Sequence, residues 1–185
     1  MPPPHVHLNL SDPSAWVLRY AALVPPGGTA LDVACGGGRH ARALLERGHA
    51  VTLIDADTAY VADLTDRAEV VTADLEDGSP WPMTGRTFGA VVVTNYLYRP
   101  LFPYLTAAVA EGGVLIYETF ARGNEQFGRP RNPSHLLEPG ELLTAFPGLQ
   151  VVAYEAGIEG GRCGRKVIER ICCVKTPEPV ELPGL

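Results

Sequence analysis

Short apolar runs of strand length alternate with helical patterns along most of this chain, and that alternation restricts the fold more than any other feature. Strand-like runs lie at 29–34, 51–55, 69–73, 88–95 and 113–120. Predicted helices lie at 39–48, 58–66, 99–113 and 138–148, after a first helix with Asp12 as its N-cap and a stop at Pro25. Alternating strands and helices form right-handed crossovers, so we expect a parallel sheet covered by helices on both faces.

The last two apolar runs break this pattern. Residues 149–157 and 166–175 are joined only by the glycine-rich IEGGRCGR, which is too short for a helical crossover and predicts an antiparallel hairpin. We therefore predict an α/β, Rossmann-like fold, with a mostly parallel seven-stranded sheet that ends in an antiparallel hairpin. A length of 185 residues suits a single domain over 1–185, with a loose arm at 1–11 and a mobile tail at 176–185.

Composition argues against several kinds of partner. The formal net charge of −6 disfavours a protein that grips a nucleic-acid backbone, and no stretch is long and apolar enough for a membrane span. The four cysteines follow no metal-ligand spacing, and His5 and His7 have no third ligand in view, so we predict no metal site. Reduced thiols and the lack of a signal-peptide pattern favour a cytoplasmic protein. We expect it to be a monomer or a homodimer.

The segment CGGGRH follows the first strand and opens a helix. In an open α/β sheet, ligands bind beyond the carboxyl ends of the strands, where this loop must lie. Gly36 and Gly38 remove side chains that would keep a ligand from the backbone, and the amides at the helix N-terminus favour a negative group. The sequence therefore predicts a ligand crevice at this loop.

Two acids are placed to bind a nucleoside. Asp55 ends the second strand, 17 residues beyond Gly38, where a carboxylate can accept hydrogen bonds from a ribose diol. Asp74 follows the third strand in TADLED, where it can accept from an adenine amino group. Each acid also has an ordinary reading, Asp55 as a cap for the next helix and Asp74 as part of a solvated acidic loop.

Dinucleotide-binding enzymes share a glycine loop and a ribose acid, but three details point away from NAD. Asp32 lies inside the first strand, and the spacing is D-x-A-x-G-x-G, with Ala41 in place of the last glycine of G-x-G-x-x-G. The third detail is the predicted antiparallel hairpin at the end of the sheet. Asp32 and loop carbonyls supply acceptors for an ammonium, while loop amides supply donors for a carboxylate, as an amino-acid zwitterion requires.

Four stretches of the chain carry a family resemblance. LDVACGGGRHARALLERGHAVTLID resembles the first two motifs of the class I S-adenosylmethionine-dependent methyltransferases, and DLEDGSPWP and VVVTNYLYRPLFPYL resemble their third and fourth. GGVLIYETFARGNEQFGRPRNPSHLLEPGELL resembles the small bacterial branch related to tellurite-resistance and thiopurine methyltransferases. The similarity covers roughly residues 12 to 175, and its motifs are specific to the superfamily and not to a substrate.

The resemblance implies S-adenosylmethionine as the cofactor. It implies nine cofactor contacts, from the methionine end through the ribose and adenine to the methyl: Asp32, Ala34, Gly36, Gly38, Asp55, Ala56, Asp74, Leu75 and Asn95. Ala34 departs from the pattern, since many relatives have a glycine there. Gly89 departs as well, since an acid often follows the phenylalanine at the start of the fourth strand.

We expect the methyl acceptor over the ends of the fourth and fifth strands. Tyr98 can orient or deprotonate it, and Glu118 and His135 are candidate bases. Each has a structural alternative: a packed aromatic for Tyr98, a strand-end acid for Glu118 and a polar loop residue for His135.

Residues 121–135 are too irregular for a regular element and too long for a routine connection, which predicts a lid or binding loop. This segment places the guanidinium groups of Arg122, Arg129 and Arg131 over the expected acceptor site, and the candidate substrate contacts are Arg129, Arg131, Tyr98 and Arg99. Guanidinium groups suit an anionic acceptor, although pairing with surface acids explains them equally well.

The predicted function is methyl transfer from S-adenosylmethionine to a small acceptor that is soft or anionic, such as a thiol, a selenium or tellurium oxyanion, or a small acid. One alternative is an NAD-dependent oxidoreductase with a short Rossmann fold, which requires an all-parallel sheet. The other is a non-catalytic module that binds S-adenosylmethionine.

Overall fold

A computed structural model describes residues 12–161 and 164–184, which form one mixed sheet with short helices around it. The strands are β1 (Thr29–Val33), β2 (Ala50–Asp55), β3 (Glu69–Thr72), β4 (Phe88–Thr94), β5 (Val109–Phe120), β6 (Gln150–Gly161) and β7 (Gly164–Val174). The α-helices are α1 (Ala15–Tyr20), α2 (Arg39–Glu46), α3 (Phe102–Ala108) and α4 (Leu142–Ala145). Short 3-10 helices lie at Ala21–Leu23, Ala59–Leu64, Arg99–Leu101, Asn124–Gln126 and Pro133–His135.

The strand order β3-β2-β1-β4-β5-β7-β6 confirms the predicted fold class. Strands β1 to β5 are parallel, whereas β7 runs antiparallel to both β5 and β6. The all-parallel sheet required by the NAD alternative is therefore absent from the described residues. The strand order reverses between β1 and β4, and this switch point is where open α/β sheets bind their ligands.

Both faces of the sheet are buried, which explains why its strands are almost continuously apolar. On one face α1 and α2 pack Trp16, Tyr20 and Leu44 against the sheet. On the other face α3 and the residue that follows α4 supply Leu105 and Phe146. Helices therefore cover both faces, as predicted.

Three predicted helices are shorter than expected. The first begins at Ala15 with Ser14 in the N-cap position, so Asp12 as the N-cap was wrong. Helix α3 ends at Ala108 because Val109 already pairs with Phe88 in the sheet. The helix predicted at 138–148 shrinks to α4, and the one at 58–66 is a 3-10 helix with non-helical backbone at Val61.

The β6–β7 hairpin extends past the carboxyl end of β5. The last residue of β5, Phe120, pairs with Ile168, but β6 and β7 continue to pair as far as Gly161 and Gly164. The tip therefore stands at the same edge as the ends of β4 and β5. There Ala121 donates its backbone N–H to the Val167 carbonyl at 3.0 Å, which joins the hairpin to the 121–135 segment.

The structure describes only part of the two chain termini. The arm at 1–11, with His5 and His7, lies outside the described residues, as does Cys163. Residues 176–184 contain no helix or strand, but Val180 packs against the face covered by α1 and α2. Within the described residues no helix meets the length and apolarity needed to cross a membrane.

Candidate cofactor and acceptor site

The loop between β1 and α2 turns through left-handed backbone. Ala34, Gly36 and Gly38 have φ values of 53°, 53° and 70°, and Asn95, directly after β4, has a φ of 54°. A left-handed conformation costs a residue other than glycine on the order of 1–3 kcal/mol and is concentrated at ligand sites. Both strands at the switch point thus end in a strained turn, which marks this edge as functional.

Gly38 is required by the packing as well as by the backbone. A Cβ atom there would lie 2.7 Å from Val61 Cγ1 and 3.3 Å from Leu64 Cδ1, both in the 3-10 helix before β3. The glycine therefore lets α2 begin close against that helix, and the loop in front of α2 keeps its backbone free of side chains.

Asp55, at the end of β2, holds the glycine loop in place. Its Oδ2 accepts from the Gly36 backbone N–H at 2.8 Å, and its Oδ1 accepts from the Asp57 backbone N–H at 3.0 Å. A carboxylate has about four acceptor positions, so two remain for the hydroxyls of a ribose. The structure brings this carboxylate next to the glycine loop, as the cofactor prediction requires.

Asp32 lies beneath the same loop and is 1% exposed. Its Oδ2 accepts from the Ala41 backbone N–H at 3.0 Å in the first turn of α2. Burial raises the pKa of Asp32 to about 7, while the Ala41 amide and the Arg39 charge oppose this shift. A buried acid of this kind suits a nearby ammonium, because an opposite charge favours the ionised form.

The adenine end of the predicted site borders a cavity of about 480 Å³ at the carboxyl end of β3. Asp74 and Leu75 lie in its wall together with Trp81, Tyr98 and Tyr104. No residue of the glycine loop is among the residues that line this cavity. Asp74 also accepts from the Glu76 backbone N–H at 2.9 Å, which fixes the turn after β3.

At the end of β5, Glu118 is 3% exposed and fully engaged with other side chains. It accepts from Ser14 Oγ at 3.0 Å and forms ion pairs with Arg170 at 3.4 Å and Lys166 at 3.8 Å. Two cations and a hydroxyl therefore surround this carboxylate. This arrangement supports the structural alternative for Glu118 more than a role as base, which stays a prediction.

Sequence reasoning missed two polar residues in the same cluster. His40, in the first turn of α2, is 2% exposed and accepts the Ser14 backbone N–H at Nε2, at 3.1 Å. Its Nδ1 lies 3.3 Å from Oγ1 of Thr94, the last residue of β4. The only sequence signal was the position of His40 directly after the glycine loop, because the contact with Thr94 spans 54 positions.

Arg99 contacts the backbone at the carboxyl-terminal end of the 121–135 segment. It pairs with Glu141 through Nε at 2.6 Å and Nη2 at 2.7 Å, and it donates to the carbonyls of Ser134 and Leu136 at 3.0 Å each. Four of its five N–H groups have protein acceptors. The structure thus favours an anchoring role for Arg99 over the predicted contact with substrate.

Arg129, Arg131 and His135 all lie on the exposed surface of this segment. Among the described residues none of the three has an ion pair, whereas Arg122 in the same segment pairs with Glu138 at 2.8 Å. The three predicted catalytic residues do not come together: Tyr98 lines the cavity on the α3 face, Glu118 contacts Ser14 at the entry to α1, and His135 is exposed.

No three His, Cys, Asp or Glu side chains of residues 12–161 and 164–184 are arranged as metal ligands. The cysteines in this range, Cys35, Cys172 and Cys173, are buried and free. Burial raises the pKa of the Cys35 thiol well above its ordinary value, so this loop residue stays protonated at neutral pH.

Residues 30–112, from β1 into β5, match the family model of a methyltransferase domain. No curated protein matches the chain significantly. The chain has the fold of three solved methyltransferase structures at 16–19% identity. The matched range is a little under half of the chain, and it contains the glycine loop together with Asp32, Asp55 and Asp74.

Two of the similar solved structures are TehB or TehB-like proteins. TehB from Haemophilus influenzae superposes with a TM-score of 0.74 at 16% identity over 90% of this chain, which spans 64% of the TehB chain. A TehB-like methyltransferase from Corynebacterium glutamicum gives 0.64 at 19%, with 88% of each chain covered. A methyltransferase from Methanosarcina mazei gives 0.68 at 16%, with 90% of this chain and all of the other covered. At such identities the likeness establishes the fold.

Proposed function

We propose that this chain is an S-adenosylmethionine-dependent methyltransferase that acts on a small, soft, anionic acceptor such as a thiolate or a selenium or tellurium oxyanion. The cofactor supplies a methyl group on a positively charged sulfur. The lone pair of the acceptor forms a bond to that methyl carbon as the carbon–sulfur bond breaks, and S-adenosylhomocysteine leaves. No proton has to move, so the protein must chiefly align the two molecules and exclude water, which together can supply about 7–11 kcal/mol.

The observation that carries this proposal is that Glu118 and His40, the titratable side chains beside Thr94 at the ends of β4 and β5, are already bonded to other protein groups. Glu118 is buried in ion pairs, and both ring nitrogens of His40 have protein partners. Burial and the neighbouring Arg39 charge lower the pKa of His40 to about 3, so the imidazole is neutral in the physiological range. An amine or hydroxyl acceptor would need a base that these groups do not supply.

The proposed negative charge of the acceptor is supported by the exposed guanidinium groups of Arg129 and Arg131. Neither group has a carboxylate partner among the described residues. Free guanidinium groups beside an ion-paired neighbour, Arg122, are available for an oxyanion or carboxylate.

For the cofactor, we assign the methionine end to Asp32 and the loop around Gly36, the ribose to Asp55, and the adenine to Asp74 and the Leu75 amide. Ala56 and Asn95 complete the contacts. The left-handed backbone, the buried Asp32 carboxylate and the spare acceptor positions of Asp55 fit these roles.

An acceptor screen tests the proposal. The full chain is incubated with S-adenosylmethionine and thiophenolate, selenite, tellurite, a primary amine or a phenol, and S-adenosylhomocysteine is measured. Turnover with the thiolate or the oxyanions and little with the amine or phenol is the expected result. A preference for the amine or phenol would contradict the soft-acceptor proposal, and tight cofactor binding without any turnover would favour the non-catalytic alternative.

A further inference from the structure

The Thr94 hydroxyl has a defined place at the acceptor edge. Thr94 is the half-buried last residue of β4, it precedes the left-handed Asn95, and it lies directly across from Glu118 of β5 in the sheet. Paired residues of parallel strands project to the same face. The hydroxyl therefore belongs to the side of the crevice where α1 and α2 pack, between the two strands that bound the acceptor region.

The hydrogen bonds of His40 fix which atom of this pair donates. A backbone N–H can only donate, so the Ser14 amide requires an unprotonated Nε2. The neutral ring then carries its proton on Nδ1, which faces Thr94 Oγ1. Thr94 must accept this bond, and its own proton points elsewhere.

No protein acceptor for the Thr94 proton lies among the described residues, and the side chain is only partly buried. Because Thr94 Oγ1 already accepts a hydrogen bond from buried His40, its own proton is left to donate to another acceptor. At the end of β4, such a donor lies at the edge of the sheet where the acceptor is proposed to bind.

We propose that His40, held by Ser14, orients the Thr94 hydroxyl so that it donates a hydrogen bond to the attacking anionic atom of the acceptor. In this scheme Thr94 contacts the substrate and His40 is a positioning residue that acts through it. The inference rests on the proposed function, because a thiolate or oxyanion accepts such a bond without giving up a proton.

The test compares Thr94→Val, which keeps the shape of the side chain, with Thr94→Ser, which keeps the hydroxyl. With thiophenolate as the probe, we expect Thr94→Val to raise the acceptor KM about tenfold, equivalent to the loss of one hydrogen bond to a charged group. Thr94→Ser should stay within about twofold of the wild type. The affinity for S-adenosylmethionine, measured by calorimetry, should not change in either variant.

Thr106→Val is the matched control, since the Thr106 hydroxyl is also half-buried but donates only to the Phe102 carbonyl within α3. Thermal unfolding of all variants separates an effect on the fold from an effect on the acceptor. An unchanged KM in Thr94→Val would overturn the inference, and so would an equal loss of cofactor affinity, because the hydroxyl would then serve the cofactor.

A double-mutant cycle tests the role of His40. His40→Phe alone should raise the acceptor KM, but it should add nothing further in the Thr94→Val background if His40 acts only through that hydroxyl. Additive effects of the two changes would reduce His40 to a structural residue.

Failure of the proposed function is distinguishable from failure of this inference. If the wild type methylates the phenol or the amine instead, the soft-acceptor proposal fails, and the same KM comparison with that acceptor decides the role of Thr94. If there is no turnover, thiophenolate is titrated into protein loaded with S-adenosylhomocysteine. Weaker binding by Thr94→Val than by Thr94→Ser would support the inference, and no binding by the wild type would overturn both proposals.

Discussion

At the carboxyl ends of β1 to β3, carboxylates are bonded to backbone amides, whereas at the ends of β4 and β5 the polar side chains are bonded mainly to other side chains. Asp32 and Asp55 accept from amides 9 and 19 positions away, and Asp74 from one only two positions away. By contrast, Glu118 binds a hydroxyl 104 positions away, and Thr94 a ring 54 positions away.

The two sets of contacts depend to different degrees on which side chains are present. Amides are present whatever the side chains are, so a cofactor half built on them needs only glycines and acids at fixed spacing. An acceptor half built from side-chain pairs depends on residues from several elements, and each of them can differ between proteins with the same fold.

The cofactor half of the site consists of the residues at the carboxyl ends of β1 to β3. Within it, Gly38→Ala should have the largest effect on stability. The added Cβ meets Val61 Cγ1 and the left-handed φ is unfavourable, so we expect a loss of about 3 kcal/mol in the free energy of unfolding. Gly148→Ala is the control, because Gly148 has a φ of 86° but nothing within 4 Å of an added Cβ. Denaturant unfolding of both variants checks this, and equal losses would show that the contact with Val61 is unimportant.

Asp32 gives the cofactor half a pH dependence. Its pKa is raised to about 7 from 3.8, so the folded state binds more protons than the unfolded state between these values, and its contribution to stability falls as pH rises through that window. Asp32→Asn should remove this dependence and gain about 2 kcal/mol on the wild type between pH 5 and pH 7. Unfolding measured at both pH values tests this, and parallel curves for the two proteins would contradict it.

Asp55→Ala should weaken S-adenosylmethionine binding by about 2 kcal/mol, roughly thirtyfold, because it removes the proposed ribose bonds and the support of the Gly36 amide. Calorimetric titration measures the effect. Asp57→Ala, on the neighbouring exposed acid, is the control. A dissociation constant unchanged by Asp55→Ala would remove the residue from the ribose site.

Arg131→Ala tests whether the acceptor half of the site binds the acceptor independently of the cofactor. We expect a rise of about fivefold in the KM of an anionic acceptor and no change in cofactor affinity, because an exposed charge contributes roughly 1 kcal/mol. Arg122→Ala, which removes the ion pair with Glu138 in the same segment, should leave the KM nearly unchanged. Steady-state kinetics on both variants test this, and a similar KM in both would place Arg131 outside the acceptor site.

The smallest effect is expected for Ala34→Gly. Relief of the left-handed strain at a φ of 53° is largely offset by the greater entropy of glycine in the unfolded chain, so the gain in stability should be about 0.5 kcal/mol. Unfolding curves of this variant and the wild type test this, and a clear loss of stability would show that the methyl group of Ala34 makes a useful contact.

The fold could be predicted from the sequence because its signals are local, whereas the cofactor contacts stay a prediction. The alternation of apolar runs predicted the sheet, and the short glycine-rich turn predicted the antiparallel pair. Spacing alone placed Asp55 beside the glycine loop. The acceptor half could not be predicted in the same way, since the partners that engage Arg99 and Glu118 lie far away in sequence. Helix ends were also missed, because Ser14 takes the N-cap position while its hydroxyl binds Glu118.

The antiparallel β7 has a consequence for how the site comes into being as the chain is made. Every residue proposed to hold the cofactor precedes β5, but the cations that neutralise Glu118 are Lys166 and Arg170, which lie on the last strand. A nascent chain that has emerged only as far as β5 would carry the whole nucleoside crevice with Glu118 still lacking its counterions. The region that receives the methyl group can therefore be completed only when the final strand inserts beside β5.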